Sequence, residues 1–359
     1  MPEYSLTGRG LISRLDQPVL IVQNGEVVDC NGAAEKLLCG IKPVLRECML
    51  PEAMEAYSAY NGEGSLLLSM RLGGNRVDFT VYREAGSDIF LSVADGDEGS
   101  CHILERTAQV IHRAVHEIYD AHNAQLPESK VYEDPSVRKA VSRINKAICR
   151  LERLAGNLAD YSTLRGDRHR PRFERLELVN TFRHLCERMQ DMFRDYEIVF
   201  HSEYRTMMGQ VDRPLLERAV LNLMTNALRT MNPGGRLEMQ VIRLGGNRAA
   251  FRIQDDGEGI DPQCMSGVMH AAGLPASPLD DPRLGVGLGL SLCMEIARLH
   301  GGTLVLQSTP GQGTQALLSF SLALPDISDG NLLRFDIKGM DPFLIEISDL
   351  LPPEAFFDI

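Results

Sequence analysis

Apolar positions along this chain follow three spacings in turn, and each spacing predicts a different kind of element. Between residues 11 and 95 they alternate or form short blocks: PVLIV, EVVDC, SLLLSMRL, RVDFTVYRE and DIFLSVAD read as antiparallel strands, with turns at Asn24-Gly25 and Gly73-Gly74-Asn75. A short helix before the first strand and a second entered at Asn31 complete this unit. From residue 104 the spacing becomes alternating four and three, through Leu104, Ala108, Ile111, Val115 and Ile118. After a break at 127–135 it resumes through Val137, Val141, Ile144, Ile148, Leu151, Ala155 and Leu158. Two such seams around a short loop predict an antiparallel helical hairpin whose apolar face needs a partner, and a dimeric four-helix bundle supplies one.

The third region, 172–325, mixes both periods. An amphipathic helix around VNTFRHLCERMQDMF leads to the strand EIVFHS, and residues 216–231 then form a second helix. That helix puts Leu216, Val220, Leu223 and Ala227 on an apolar stripe and Asn222, Asn226 and Arg229 on a neighbouring polar face. Two amides and a guanidinium one turn apart suit a charged ligand. The strand FRIQD ends at Asp255, followed by Gly257 and Gly259, where the absence of a Cβ lets the backbone turn and approach a ligand. Gly285, Gly287 and Gly289 precede an amphipathic helix that ends at Gly301, and free N–H groups at such a helix start suit phosphate. Between the glycine segments, residues 262–282 read as a lid rich in small residues and proline.

This ordered set resembles the ATP-binding domain of sensor histidine kinases, the Bergerat-type fold shared with gyrase and Hsp90. The resemblance covers roughly residues 205–325. It implies that ATP and Mg²⁺ bind here, with Asn226 giving its amide oxygen to the metal and Arg229 facing the phosphates. Asp255 would accept from the adenine amino group, with Thr314 near that end. Gly257 and Gly259, together with Asn222 and with Gly285, Gly287, Leu288 and Gly289 of the lid hinge, would frame the nucleotide. Relatives that hydrolyse ATP carry Glu four residues before the metal-binding Asn. Here that position is Asn222, and an amide cannot take a proton from water, so phosphoryl transfer to a side chain is expected.

The N-terminal strand order, with its N-G-A-A-E-K-L-L segment, resembles a small PAS domain. On the first seam helix, His112, His116 and His122 compete as phosphoacceptor. His116 is followed by Glu117, which resembles the family's H-E start, where the acid accepts the imidazole proton as the ring attacks phosphate. The same box departs from the family at Tyr119, Asp120, Ala121 and His122.

The resemblance therefore implies a multidomain α+β chain. A PAS-like antiparallel sheet (1–97) is followed by a dimerisation and phosphotransfer hairpin (101–166), an α/β-sandwich ATP-binding domain (172–325) and an acidic, apolar tail (326–359). Its function would be autophosphorylation followed by transfer to a response regulator receiver domain. A nucleotide-binding scaffold without chemistry and an ATP hydrolase are the alternatives.

Composition narrows the partners. A net charge of −12 over 359 residues disfavours a nucleic-acid surface, which needs a basic face. No apolar run approaches the ~20 residues that span a bilayer, and the N-terminus lacks a signal-peptide core, so a cytoplasmic location is expected. The eight cysteines show no C-x-x-C pair and read as packed thiols. The string RLGGNR occurs at 71–76 and again at 243–248, each time between strand-like runs, which points to shared hairpin chemistry.

Overall fold

The computed structural model describes residues 15–38, 44–84, 86–93, 98–125, 134–165, 171–261, 288–323 and 341–357. The helix expected before the first strand lies outside these residues, as do the lid at 262–282, Gly285 and Gly287, and the side chain of His122.

The N-terminal strands β1 (Val19–Gln23), β2 (Glu26–Cys30), β3 (Ser65–Leu72), β4 (Asn75–Glu84) and β5 (Ser87–Ser92) form where alternation predicts them. Their turns work as the glycines and asparagines require: Asn24 and Gly25 sit at φ 53° and 80°, and Gly73 and Gly74 at 56° and 86°, left-handed values that match the strand twist of a tight hairpin. Helix α1 (Gly32–Leu38) starts after Asn31, whose Oδ1 accepts from Ala34 N at 3.0 Å and Val19 N at 3.0 Å. Two further helices, α2 (Leu45–Cys48) and α3 (Pro51–Ala59), were not anticipated from the sequence. Together the three helices cover a core built around Leu66, Leu68, Phe79 and Phe90.

The hairpin helices are α4 (Glu98–Gln125) and α5 (Pro135–Arg165), packed on each other. Beyond them come β6 (Glu174–Glu177), α6 (Leu178–Met192), β7 (Glu197–Ser202), β8 (Met208–Val211), α7 (Arg213–Thr230), β9 (Arg236–Leu244) and β10 (Arg248–Asp255). The second RLGGNR string joins β9 to β10 through a three-residue loop with Gly246 and Asn247 at φ 67° and 59°, whereas the first closes on the two residues Gly73 and Gly74, so the identical strings both turn a hairpin but do not make the same turn. The chain continues through α8 (Leu288–Leu299), β11 (Leu304–Thr309) and β12 (Gly313–Ser321), and the described part of the tail holds α9 (Pro342–Glu346).

Ten of the strands make one sheet, ordered β2-β1-β5-β4-β3-β11-β12-β10-β9-β7 and antiparallel except for β7 beside β9. The N-terminal and C-terminal strand sets thus share a ladder, where Leu66, Leu67 and Ser65 of β3 pair with Gln307, Leu306 and Ser308 of β11. Strand β3 is buried on both faces from Ser65 to Met70, as a central strand with cover on each side must be. Leu66 and Leu68 point to the N-terminal core, while Leu67 joins the larger core with Ala108 of α4 and Phe182 of α6. Two long-range contacts reinforce the junction: Arg248 pairs with buried Glu52 at 2.5 Å, and Arg76 Nη1 donates to Gly302 O at 3.0 Å.

The thiols of Cys149, Cys186 and Cys293 are buried, and burial pushes Cys149 and Cys186 up to about 12, so they pack as small apolar groups. Buried His300 receives Asp212 N on Nε2 at 3.0 Å and directs Nδ1 at Ile296 O at 2.8 Å, which makes it structural. Among the described residues no helix is long and apolar enough to cross a membrane, and no cluster of metal-ligating side chains occurs.

Candidate active site

Helix α7 is set by its first turn. Asp212 is fully buried at the N-cap, its carboxylate facing Leu215 N at 3.4 Å, and Pro214 stands where a missing N–H costs nothing. The expected apolar stripe of Leu216, Val220, Leu223 and Ala227 is buried. On the neighbouring face Asn222 is buried, while Asn226 and Arg229 are half-buried. Asn222 Nδ2 donates to Arg218 O at 3.0 Å, and its Oδ1 faces Gly289, where a Cβ would come within 2.7 Å. The start of α8 can therefore approach α7 only without a side chain at 289.

Strand β10 delivers Asp255 to a buried position beside the end of the same helix. Its Oδ1 accepts from Gly257 N at 2.9 Å and Thr314 N at 3.2 Å, and no described residue donates to Oδ2. Burial pushes this carboxyl above its ordinary value, and the two amides pull against that shift. Gly257 is hemmed by Thr230 Oγ1, which would lie 2.9 Å from a Cβ, and Gly259 sits at φ 69° with a Cβ aimed at the Thr309 carbonyl. Glu258 N donates to Thr230 O at 3.2 Å, tying this loop to the last turn of α7. Thr314 Oγ1 and Ser308 Oγ lie 2.9 Å apart, and Ile260 N reaches Ser308 Oγ at 2.8 Å.

Two polar sites thus lie along one helix. The Asp255–Thr314 group sits by Thr230, and the Asn222–Gly289 contact sits eight residues earlier, about 12 Å along the axis at ~1.5 Å per residue. Leu288 is buried at the start of α8. Arg229 is engaged by a group that the sequence did not suggest, the carboxylate of Asp349 in the tail.

On the hairpin, His116 is half-buried and Glu117 is exposed. The His116 ring meets His112 edge-on, with centroids 4.3 Å apart at 80°. His112 Nδ1 lies 2.7 Å from Glu152 Oε1 on the other hairpin helix. Sequence reasoning judged His112 by its lack of an acidic follower and missed Glu152. The available signal was a carboxylate directly after the seam residue Leu151.

Comparison with known proteins places this arrangement. Residues 211–326 match the family described as histidine kinase-, DNA gyrase B- and HSP90-like ATPase. The chain is 40% identical over 116 residues to the alginate biosynthesis sensor protein KinB of Pseudomonas aeruginosa, a match covering 32% of this chain and 18% of that one. It is 31% identical over 180 residues to the signal transduction histidine-protein kinase/phosphatase MprB of Mycobacterium ulcerans, covering 49% of this chain and 33% of that one. Full-length ShkA in complex with AMPPNP, at 17% identity, superposes with a TM-score of 0.49 over 63% of this chain and 46% of that one. Over residues 211–326 the chain is therefore similar to the ATPase domain of this family, and the curated relatives it matches are sensor proteins and histidine kinases. It spans less than half the length of these curated relatives.

Proposed function

We propose that the chain is a sensor histidine kinase that binds ATP and Mg²⁺ along α7, phosphorylates His116, and passes the phosphoryl group to a response regulator receiver domain. The observation that carries the reading is the buried Asp255. Two backbone amides fix one of its oxygens, and the other takes no donor from a described residue, which suits an exocyclic adenine amine. From there to Asn222 and Gly289 the helix spans a distance comparable with that from base to phosphate. Asn226, on the same face and half-buried, offers one hard oxygen, as Mg²⁺ requires when phosphates and water fill its remaining positions.

ATP supplies the γ-phosphoryl group. A ring nitrogen of His116 takes it up and ADP leaves, while Glu117, exposed on the next residue, holds the departing imidazole proton. Hydrolysis is disfavoured because Asn222 stands where a general base would be needed. In this reading residues 1–97 are a PAS-like input unit, 101–166 the phosphotransfer hairpin, 172–325 the ATP domain and 326–359 a tail, in a cytoplasmic homodimer. The dimer is supported by Ile118, Ile144 and Leu151, seam residues that stay exposed in the single chain.

Incubation with γ-labelled ATP tests the reading. Acid-labile label retained in His112→Ala and lost in His116→Ala is expected. Absence of label from the unaltered protein identifies a silent scaffold, and phosphate release without label identifies a hydrolase.

A further inference from the structure

The described C-terminal residues are held to the rest of the chain by more than apolar contact. Phe343, Ile345, Ile347, Leu351 and Phe356 are buried in the larger core. Asn145 Nδ2 of α5 donates to Phe356 O at 2.9 Å. Two carboxylates then bridge two helices that belong to different units. Asp349 meets Arg150 at 2.7 Å and also Arg153, both on α5, and it meets Arg229 on α7. Glu346 Oε1 lies 2.7 Å from Arg218 Nε on α7, and Arg218 also meets Asp160 of α5.

Charge and position give this arrangement its meaning. Four guanidiniums form ion pairs with three carboxylates, and two of the three belong to the tail; with the tail lifted away, Asp160 remains paired to Arg218, with the charge of Glu152 on α5 also acting on Arg218. Arg218, Asn222 and Arg229 recur at intervals of four and seven along α7, so they share one side of it. Burial and the neighbouring Arg153 push Arg229 below its ordinary value while Asp349 opposes them, as expected of crowded cations that need an anion. A carboxylate is a stand-in for phosphate at a guanidinium fork, being planar, anionic and matched to the same donors.

We propose that the arginine face shared by α5 and α7 is a docking surface for the chain's own acidic C-terminal segment, and that this segment and nucleotide phosphate occupy Arg229 in alternation. The proposal rests on the assignment of nucleotide to α7 made above. With the tail seated, α5 and α7 are clamped together and like charge opposes an incoming phosphate. With nucleotide seated, Asp349 is repelled, the clamp opens and the ATP-binding unit is released from the hairpin that carries His116.

The test uses the full chain, a fluorescent ATP analogue with Mg²⁺, and hydrogen exchange. Asp349→Asn is expected to bind the analogue at least about fivefold more tightly than the unaltered protein. In the unaltered protein, saturating nucleotide is expected to speed exchange across 341–357. Equal or weaker binding by Asp349→Asn overturns the proposal, and so does tail exchange that is indifferent to bound nucleotide. The exchange measurement needs no substitution, so a folding defect in the variant leaves it intact. Failure of both proteins to bind the analogue instead overturns the nucleotide reading itself.

Discussion

His112 and Glu152 lie forty residues apart in the chain and 2.7 Å apart across the hairpin, with Glu152 almost fully buried. The carboxylate holds the ring of His112 in place, and the edge of that ring supports His116. Glu152→Ala removes the buried carboxylate that faces a half-buried imidazole and should cost ~1–3 kcal/mol, read as a lower melting temperature. His116 should still take label, more slowly. Full-rate labelling of an equally stable variant would remove any positioning role for the pair.

Asp255 couples binding to stability with opposite signs. Asp255→Asn keeps an oxygen for the amides of Gly257 and Thr314 but presents an N–H₂ where adenine also presents one, so nucleotide affinity should fall ~10- to 100-fold. The native carboxyl titrates above the ordinary value of 3.8, so the folded state holds its proton more tightly than the unfolded state does. Stability therefore declines as pH rises from that ordinary value through the raised one, and it stays lower at neutrality. The amide escapes this cost. The variant should melt above the parent at pH 7, and the gap should narrow as pH falls through the carboxylate range; a gap that widens would refute the assignment.

Gly64 tests the seam between the two halves of the sheet. It sits at φ 69°, and a Cβ would run into the carbonyl of Ser308. Gly64→Val should cost ~1–3 kcal/mol in backbone strain and push β3 from β11. Hydrogen exchange should rise at Leu66 and Leu306 before it rises at β12, whose partner β10 is untouched.

Ile144 and Leu151 are each 39% exposed on α5 although they continue its seam. Ile144→Glu with Leu151→Glu should convert a dimer into single chains by light scattering, with helical content retained. A mass that is one chain's before substitution would rule out the four-helix bundle.

Much of this was legible in the sequence because it is local. The stripe on α7, the strand ending at Asp255, the presence of a turn at each RLGGNR string and the cap at Asn31 follow from spacing and residue type. Helix α3 was passed over although Pro51 and Glu52 stand in its first turn, where a helix start favours them. What the sequence concealed was which edges and faces meet. Only three residue pairs join β3 to β11, and nothing in SLLLSMRL distinguishes that partner from another strand. Likewise Glu152 and Asp349 look like ordinary surface acids until the helices that carry His112 and Arg229 are brought alongside them.

The shared ladder also bears on what happens when the chain is cut. Strand β11 owes its second neighbour to β3, so a fragment beginning after the hairpin would bare the amides and carbonyls that β3 covers at Leu306, Gln307 and Ser308. Such edges recruit their own kind, and the isolated C-terminal half would tend to self-associate through a surface that the intact protein keeps covered with its own N-terminal strand.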